Sequence, residues 1–230
     1  MKIMLKESQI PTLFTEARMD GFRVDTLRNM SFKDKIAYCR QMLGSPIGKG
    51  SSRMVFQLDD YTCLKLAINR KGLAQNEDEF NMCKHSFVTI LPQVFNGSDE
   101  EGFKWIIAEY VLPAKEGDFM EIYGIEWEEL KEFVAATISS NDRTSQITRQ
   151  WGDRTVNRLY SEFEENEGVV ELFNGIHEMF YDYSHGIGDL GRICNWGLVN
   201  RPTGPECVVL DSGLSQDTYN KYYSVGGNRY

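Results

Sequence analysis

His185-Gly186-Ile187-Gly188-Asp189-Leu190-Gly191-Arg192-Ile193-Cys194-Asn195-Trp196-Gly197, followed further on by Val208-Val209-Leu210-Asp211-Ser212-Gly213, is the stretch on which the fold turns. An acid, an asparagine, a hairpin and a second acid at the end of an apolar strand stand there in order. Trp196–Asn200 and Cys207–Leu210 read as the hairpin strands, with Arg201-Pro202-Thr203-Gly204-Pro205 as the turn. Taken singly, Asp189 and Asp211 read as turn or capping residues; their order gives them a joint role. Mg²⁺ takes oxygen ligands from one or two carboxylates together with substrate phosphates. Asn195 and Asp211 are therefore the candidate metal ligands. Asp189 is the candidate catalytic base, directed at an accepting hydroxyl.

Working outward toward the N-terminus, Gly48-Lys49-Gly50-Ser51-Ser52-Arg53-Met54-Val55 leads into a strand. Glycines let backbone amides approach phosphate oxygens without a Cβ in the way, so Gly48 and Gly50 are candidate nucleotide-binding positions. By itself a GxG is also a plain tight turn. Lys65, in Cys63-Leu64-Lys65-Leu66-Ala67, shares a strand face with Cys63 and Ala67. Isolated, it would be a solvent-facing lysine; beside phosphates it would hold them and pair with a helix glutamate. The following helix offers Glu77 and Glu79, and spacing leaves the choice between them open. Ile106-Ile107-Ala108-Glu109-Tyr110-Val111-Leu112-Pro113 reads as a buried strand running into a hinge. Its backbone around Glu109 and Val111 would hydrogen-bond an adenine edge.

The remaining pattern frames these pieces. Residues 1–46 read as a helical extension, with Ser31 capping a helix whose Phe32, Ile36, Cys39 and Met42–Leu43 share a face. Residues 47–113 read as strand-rich. Met54–Leu58 and Cys63–Ala67 form a hairpin, and Gly72 precedes a helix from Leu73 to about His85 with Leu73, Phe80 and Phe87 on one face. Ile90–Phe95, an edge strand because of Pro92, turns at Asn96-Gly97-Ser98 into Phe103–Leu112. Residues 114–230 read as mainly helical, marked by Trp127 to Ile138, Val156–Phe163 and Val169 to Tyr183, before the hairpin. Strands and helices segregate along the chain, which is an α+β order rather than a strand–helix alternation.

Composition bounds the function. In 230 residues, 41% hydrophobic and 26% charged, there is enough apolar surface for a core without staples. A net charge of −9 argues against general nucleic-acid binding or an anionic membrane surface. Five widely spaced cysteines and three histidines make neither a CxxC pair nor a zinc pattern. No apolar run reaches the ~20 residues of a membrane helix. The expected location is the cytosol, or a virion assembled there.

The order of glycine loop, strand lysine, helix glutamate, hinge, D…N and D-x-G resembles the protein kinase and aminoglycoside-phosphotransferase superfamily. More narrowly, Gly72-Leu73-Ala74-Gln75-Asn76, Gly188-Asp189-Leu190-Gly191-Arg192, Asn195-Trp196-Gly197 and Val209-Leu210-Asp211-Ser212-Gly213-Leu214 resemble small kinase-like proteins of tailed bacteriophages. The resemblance spans roughly residues 47 to 224. It implies a two-lobed kinase-like fold with a reduced C-terminal lobe, ATP and Mg²⁺ as cofactors, and Glu79 as the partner of Lys65. Several positions depart from the pattern. Arg53 stands where a kinase loop has its third glycine, and Asp189 and Asn195 are one residue further apart than in HRDLxxxN. Ser212 replaces the phenylalanine of DFG, and little chain follows Gly213 for an activation segment. A conventional protein-substrate kinase is thereby disfavoured. Two expectations follow: a Mg-ATP-dependent phosphotransferase acting on a small molecule or specific partner, or a catalytically silent kinase-like binding module or virion component.

Overall fold

A computed structural model describes residues 21–85, 88–182, 187–210, 213 and 215–222. His185, Asp211 and Ser212 of the motifs above lie outside them, as do Phe87 and Tyr183. The chain is a mixed helix-and-sheet protein, compatible with the α+β class. Its described residues divide into two units, one of residues 21–85, 93–110 and 221–222, the other of 88–92 and 111–220.

Apolar alternation builds the first unit around an antiparallel sheet of β1 (Gly48–Lys49), β2 (Arg53–Gln57), β3 (Thr62–Ala67), β4 (Val94–Gly97) and β5 (Trp105–Glu109), in the order β1-β2-β3-β5-β4. Register sets Val55 opposite Lys65 and Arg53 opposite Ala67. Met54, Phe56, Leu64 and Leu66 therefore take the other face. There they join Trp105 and Ile107 in a core that also takes in Phe22, Leu27 and Cys39. The residues read as an extension thus supply part of this core. Helix α1 (Phe32–Leu43) starts where expected, with Ser31 Oγ accepting from Asp34 N at 3.2 Å. Its most buried residues are Cys39 and, against expectation, Lys35. The Lys35 ammonium donates to Leu27 O and lies 3.6 Å from Glu101 Oε2, which offsets the loss of hydration.

Two expectations need correction here. Gly72 does not precede a helix but lies inside α2 (Arg70–His85), whose N-terminus is capped by Asn69 Oδ1 accepting from Gly72 N at 3.2 Å. The segment Ile90–Phe95 is not one strand. Pro92 has no N–H for a ladder, and β4 begins at Val94 and continues through Asn96 and Gly97, where the sequence predicts a turn.

The second unit holds α3 (Glu116–Tyr123), α4 (Trp127–Ser140), α5 (Gln146–Glu162) and α6 (Glu167–Tyr181) with a sheet of β6 (Leu112–Pro113), β7 (Trp196–Arg201) and β8 (Gly204–Val209). A last helix, α7, covers Gln216–Tyr222. Phe133 of α4 stacks on Phe173 of α6 with centroids 3.8 Å apart, and Phe119 of α3 meets Trp196 edge-on at 5.2 Å. Helix α5 begins about ten residues before the expected Val156, capped by Ser145. Its first half carries no apolar periodicity, because Ile147 and Trp151 are exposed there while Gly152 makes the contact with α4. Before β6, Ile90 O accepts from Val209 N at 2.8 Å, and the Arg201 guanidinium donates to Thr89 O and Leu91 O.

Candidate functional site

In the first unit the site is built on the face of β2 and β3 that carries Arg53, Val55, Cys63, Lys65 and Ala67. Only Ile68 and Asn69 separate β3 from α2. Besides capping α2, Asn69 donates from Nδ2 to Ser51 O at 2.9 Å. Ile68 N donates to Ser52 O at 2.9 Å, and Ser52 Oγ donates to Gln75 Oε1. Gly72 makes this approach possible: a Cβ there would lie 2.2 Å from Ser52 O. One helical turn on, Asn76 Nδ2 donates to Phe103 O at 2.9 Å and to Lys65 O at 3.3 Å.

That arrangement buries Gln75, Asn76 and Glu79 of α2 together with Met82, and leaves Leu73 and Phe80 only partly buried. The expected apolar face is thus not the buried one. Glu77 is exposed, whereas Glu79 is fully buried and accepts from Lys65 Nζ at 2.5 Å through Oε1. Its other oxygen, Oε2, accepts from Arg53 Nη1 at 2.6 Å. Burial pushes the Glu79 carboxyl up, but the Lys65 and Arg53 charges outweigh it and hold the group below its ordinary range. Burial also pushes the neighbouring Cys63 thiol up to about 11, which leaves it a packing residue rather than a nucleophile.

Gly48 pairs with Val55, and Gly50 N donates to Arg53 O at 2.9 Å. Neither glycine has a positive φ, and a Cβ on either would meet nothing closer than 3.7 Å. The fold of this unit does not itself demand glycine at these two positions. Glu109 closes β5 with its N–H on Gln93 O at 2.8 Å and its carboxylate accepting from Gln93 N at 3.1 Å.

In the second unit Asp189 and Asn195 share one turn-rich segment, Ile187–Gly191 followed by Ile193–Asn195, both 3₁₀. Asn195 Nδ2 donates to Asp189 O at 2.8 Å, so the amide is oriented with its donor end committed. Trp196 Nε1 donates to Leu190 O at 2.8 Å and anchors the turn in the core. The Asp189 carboxylate is more than half exposed, with Arg192 Nη1 at 3.3 Å. Leu210 N donates to Asn195 O at 2.8 Å, which ties the end of β8 to the segment. Asp211, next in sequence, is outside the described residues, and among the described ones no three His, Cys, Asp or Glu side chains cluster as a metal site. Val111 presses on β7: a Cβ on Gly197 would come 2.1 Å from Val111 Cγ1.

Within the units, then, Lys65 is brought to Glu79, and Asp189 to Asn195. Sequence reasoning quotes Gln75 and Asn76 only as part of a motif and Arg53 only as a replaced glycine, and gives none of them a role in the site. Strand alternation carried the signal for Arg53, since it sits two residues before Val55 on the face that the hairpin shares with Lys65. Neither a scan against family models nor a search of curated proteins returned a match. No helix among the described residues is long and apolar enough to cross a membrane.

Proposed function

We propose that the chain is a kinase-like nucleotide-binding protein, a reduced relative of the two-lobed phosphotransferases, that takes Mg-ATP. The observation that carries this reading is the buried Lys65–Glu79 pair, a lysine on a central strand held by a helix carboxylate. Burying charges is costly and helix-to-strand contact is made more simply with apolar residues, so a buried cation kept here points to an anionic ligand. Lys65 would hold the phosphates and Glu79 would fix its ammonium. Glycines that the local fold does not require, at 48 and 50, put no Cβ between this loop and phosphate oxygens. Asn195 offers a hard oxygen, Oδ1, with its Nδ2 already committed, and with Asp211 would hold Mg²⁺. Bound there, the metal would supply neutralisation of phosphate charge. Asp189 would orient the hydroxyl of a small molecule or specific partner.

A second reading, a kinase-like binding module or virion-associated protein without turnover, is favoured by one observation. The Asp189 carboxylate faces Arg192 rather than standing clear as a base. One set of measurements separates the two. Mg-ATP at ~100 times its dissociation constant should stabilise the protein by ~2.7 kcal/mol. The shift should require Mg²⁺ and shrink in Lys65→Ala and Asp211→Ala. Asp189→Asn should keep the shift and lower phosphotransfer or ATP hydrolysis by roughly 10²–10⁴-fold. No shift at millimolar nucleotide, with flat calorimetry, refutes nucleotide binding. Wild type and Asp189→Asn that turn over equally slowly across candidate acceptors assign the binding module.

A further inference from the structure

Around Asp189 and Arg192 a fixed backbone carries two loosely held side chains. Arg192 N donates to Asp189 O at 3.1 Å, Asn195 N to Arg192 O at 3.0 Å, and Asn195 Nδ2 to Asp189 O at 2.8 Å. Trp196 Nε1 and Leu210 N tie the same segment down at Leu190 O and Asn195 O. The Asp189 and Arg192 side chains, by contrast, are 59% and 71% exposed, with Arg192 Nη1 3.3 Å from Asp189 Oδ1. Residues three apart in a 3₁₀ turn lie on one side, so the turn itself brings the guanidinium to the carboxylate. An ion pair this exposed gains little and is screened by salt. Arg192 therefore leaves Asp189 at small cost. Its planar fork matches a carboxylate or phosphate with two parallel bonds. In a chain of net charge −9 an anionic substrate needs such a local cation to approach.

Resting on the phosphotransferase reading, we propose that Arg192 determines acceptor specificity, and that the acceptor is a small hydroxy compound with a carboxylate or phosphate beside its reacting hydroxyl. In the free protein Arg192 rests on Asp189. The acceptor's anion draws the guanidinium away, and the Asp189 carboxylate is released to accept the hydroxyl proton. The hydroxyl oxygen bonds to the γ-phosphorus of ATP as the bond from that phosphorus to the β–γ bridging oxygen breaks. ADP leaves with the electron pair, and the proton ends on Asp189. A neutral acceptor offers Arg192 no anion and leaves Asp189 paired. The Asp189–Arg192 contact is then the resting state of a working site, opened by the right substrate.

The test uses the full chain, Mg-ATP and matched acceptors: glycerol with glycerate and glycerol 3-phosphate, glucose with gluconate and glucose 6-phosphate. Phosphorus NMR follows the phosphorylated acceptor, and calorimetry follows acceptor and Mg-ATP binding separately. Wild type should favour the anionic members by about tenfold or more in kcat/KM, the effect of one charge-assisted hydrogen bond; the carboxylate and phosphate arms tell which anion is meant. Arg192→Gln should weaken binding of the anionic acceptor and raise its KM by a similar factor, with Mg-ATP affinity within about twofold of wild type. Arg192→Lys should recover part of the loss. Neutral acceptors used as well as anionic ones overturn the proposal and leave the phosphotransferase reading standing. So does faster transfer in Arg192→Gln, which would make the contact merely inhibitory, or a tenfold loss of Mg-ATP affinity there, which would give Arg192 to the nucleotide. Mg-ATP binding with no transfer to any acceptor refutes the phosphotransferase reading and this proposal together. Urea unfolding should find Arg192→Gln as stable as wild type, since the side chain is exposed; if it is not, the matched acceptors on wild type decide.

Discussion

Replacing Gly72 by alanine sets two physical effects of opposite sign against each other. Gly72 lies in α2, where exchanging glycine for alanine ordinarily stabilises by up to ~1 kcal/mol. Here the added Cβ would sit 2.2 Å from Ser52 O and 3.0 Å from both Cα and Cβ of Ala67. Real Cβ contacts stay beyond 3.0 Å, so helix and strand must part by about 0.8 Å. These atoms are backbone and a short side chain, so no flexible group can swing aside. Ser52 O is also held by Ile68 N at 2.9 Å. Overpacking of this kind costs ~1–3 kcal/mol, and a contact against backbone belongs at the upper end. The expected net result is a loss of roughly 2 kcal/mol, read as a lower urea midpoint at unchanged slope. If Gly72→Ala is as stable as wild type or more so, helix propensity has won. The close approach of α2 to the glycine-loop tail is then wrong.

Other outcomes follow from the same structure. Gly152→Ala in α5 should also destabilise, by ~1–3 kcal/mol, because its Cβ would lie 2.4 Å from Ser140 N and 2.6 Å from Ala136 O of α4; a raised urea midpoint would contradict that packing. The Glu79 carboxyl is held below 4.5 by Lys65 and Arg53 despite burial. Its ionised form is therefore favoured in the folded state, and the contribution is full above the unfolded value and lost as pH falls through the lower folded one. Urea midpoints should thus fall more steeply below about pH 4.5 in wild type than in Glu79→Gln, and parallel curves would remove Glu79 from the buried network.

The strands around Lys65 were legible because period-two alternation is a strong signal, and the hairpin at Trp196–Val209 was legible from its turn residues. Helix α2 was not read correctly, for a reason that concerns the site. Hydrophobic periodicity assigns the buried face to Leu73 and Phe80, but α2 buries Gln75, Asn76 and Glu79 because their partners are strand carbonyls and cations. Local pattern and tertiary demand disagree there, and such disagreements gather at functional positions. In the sequence Arg53 reads only as a replaced glycine, since nothing local reveals which carboxylate an arginine will meet across a helix. Asp189 and Asn195 were singled out by order, while their bond through the Asp189 carbonyl depends on a 3₁₀ turn that has no periodicity to detect.

The two-residue link of Ile68 and Asn69 leaves α2 no slack. Swinging the helix outward would break the Asn69 cap, the Ser52–Gln75 bond and both bonds of Asn76 at once. In hydrogen-exchange terms, the amides of α2 from Leu73 to Glu79 should open together with those of β3, as one cooperative block, and not by separate local fluctuation. A helix so tethered is a fixed wall of its unit, and the chain cannot use its displacement as an on–off lever.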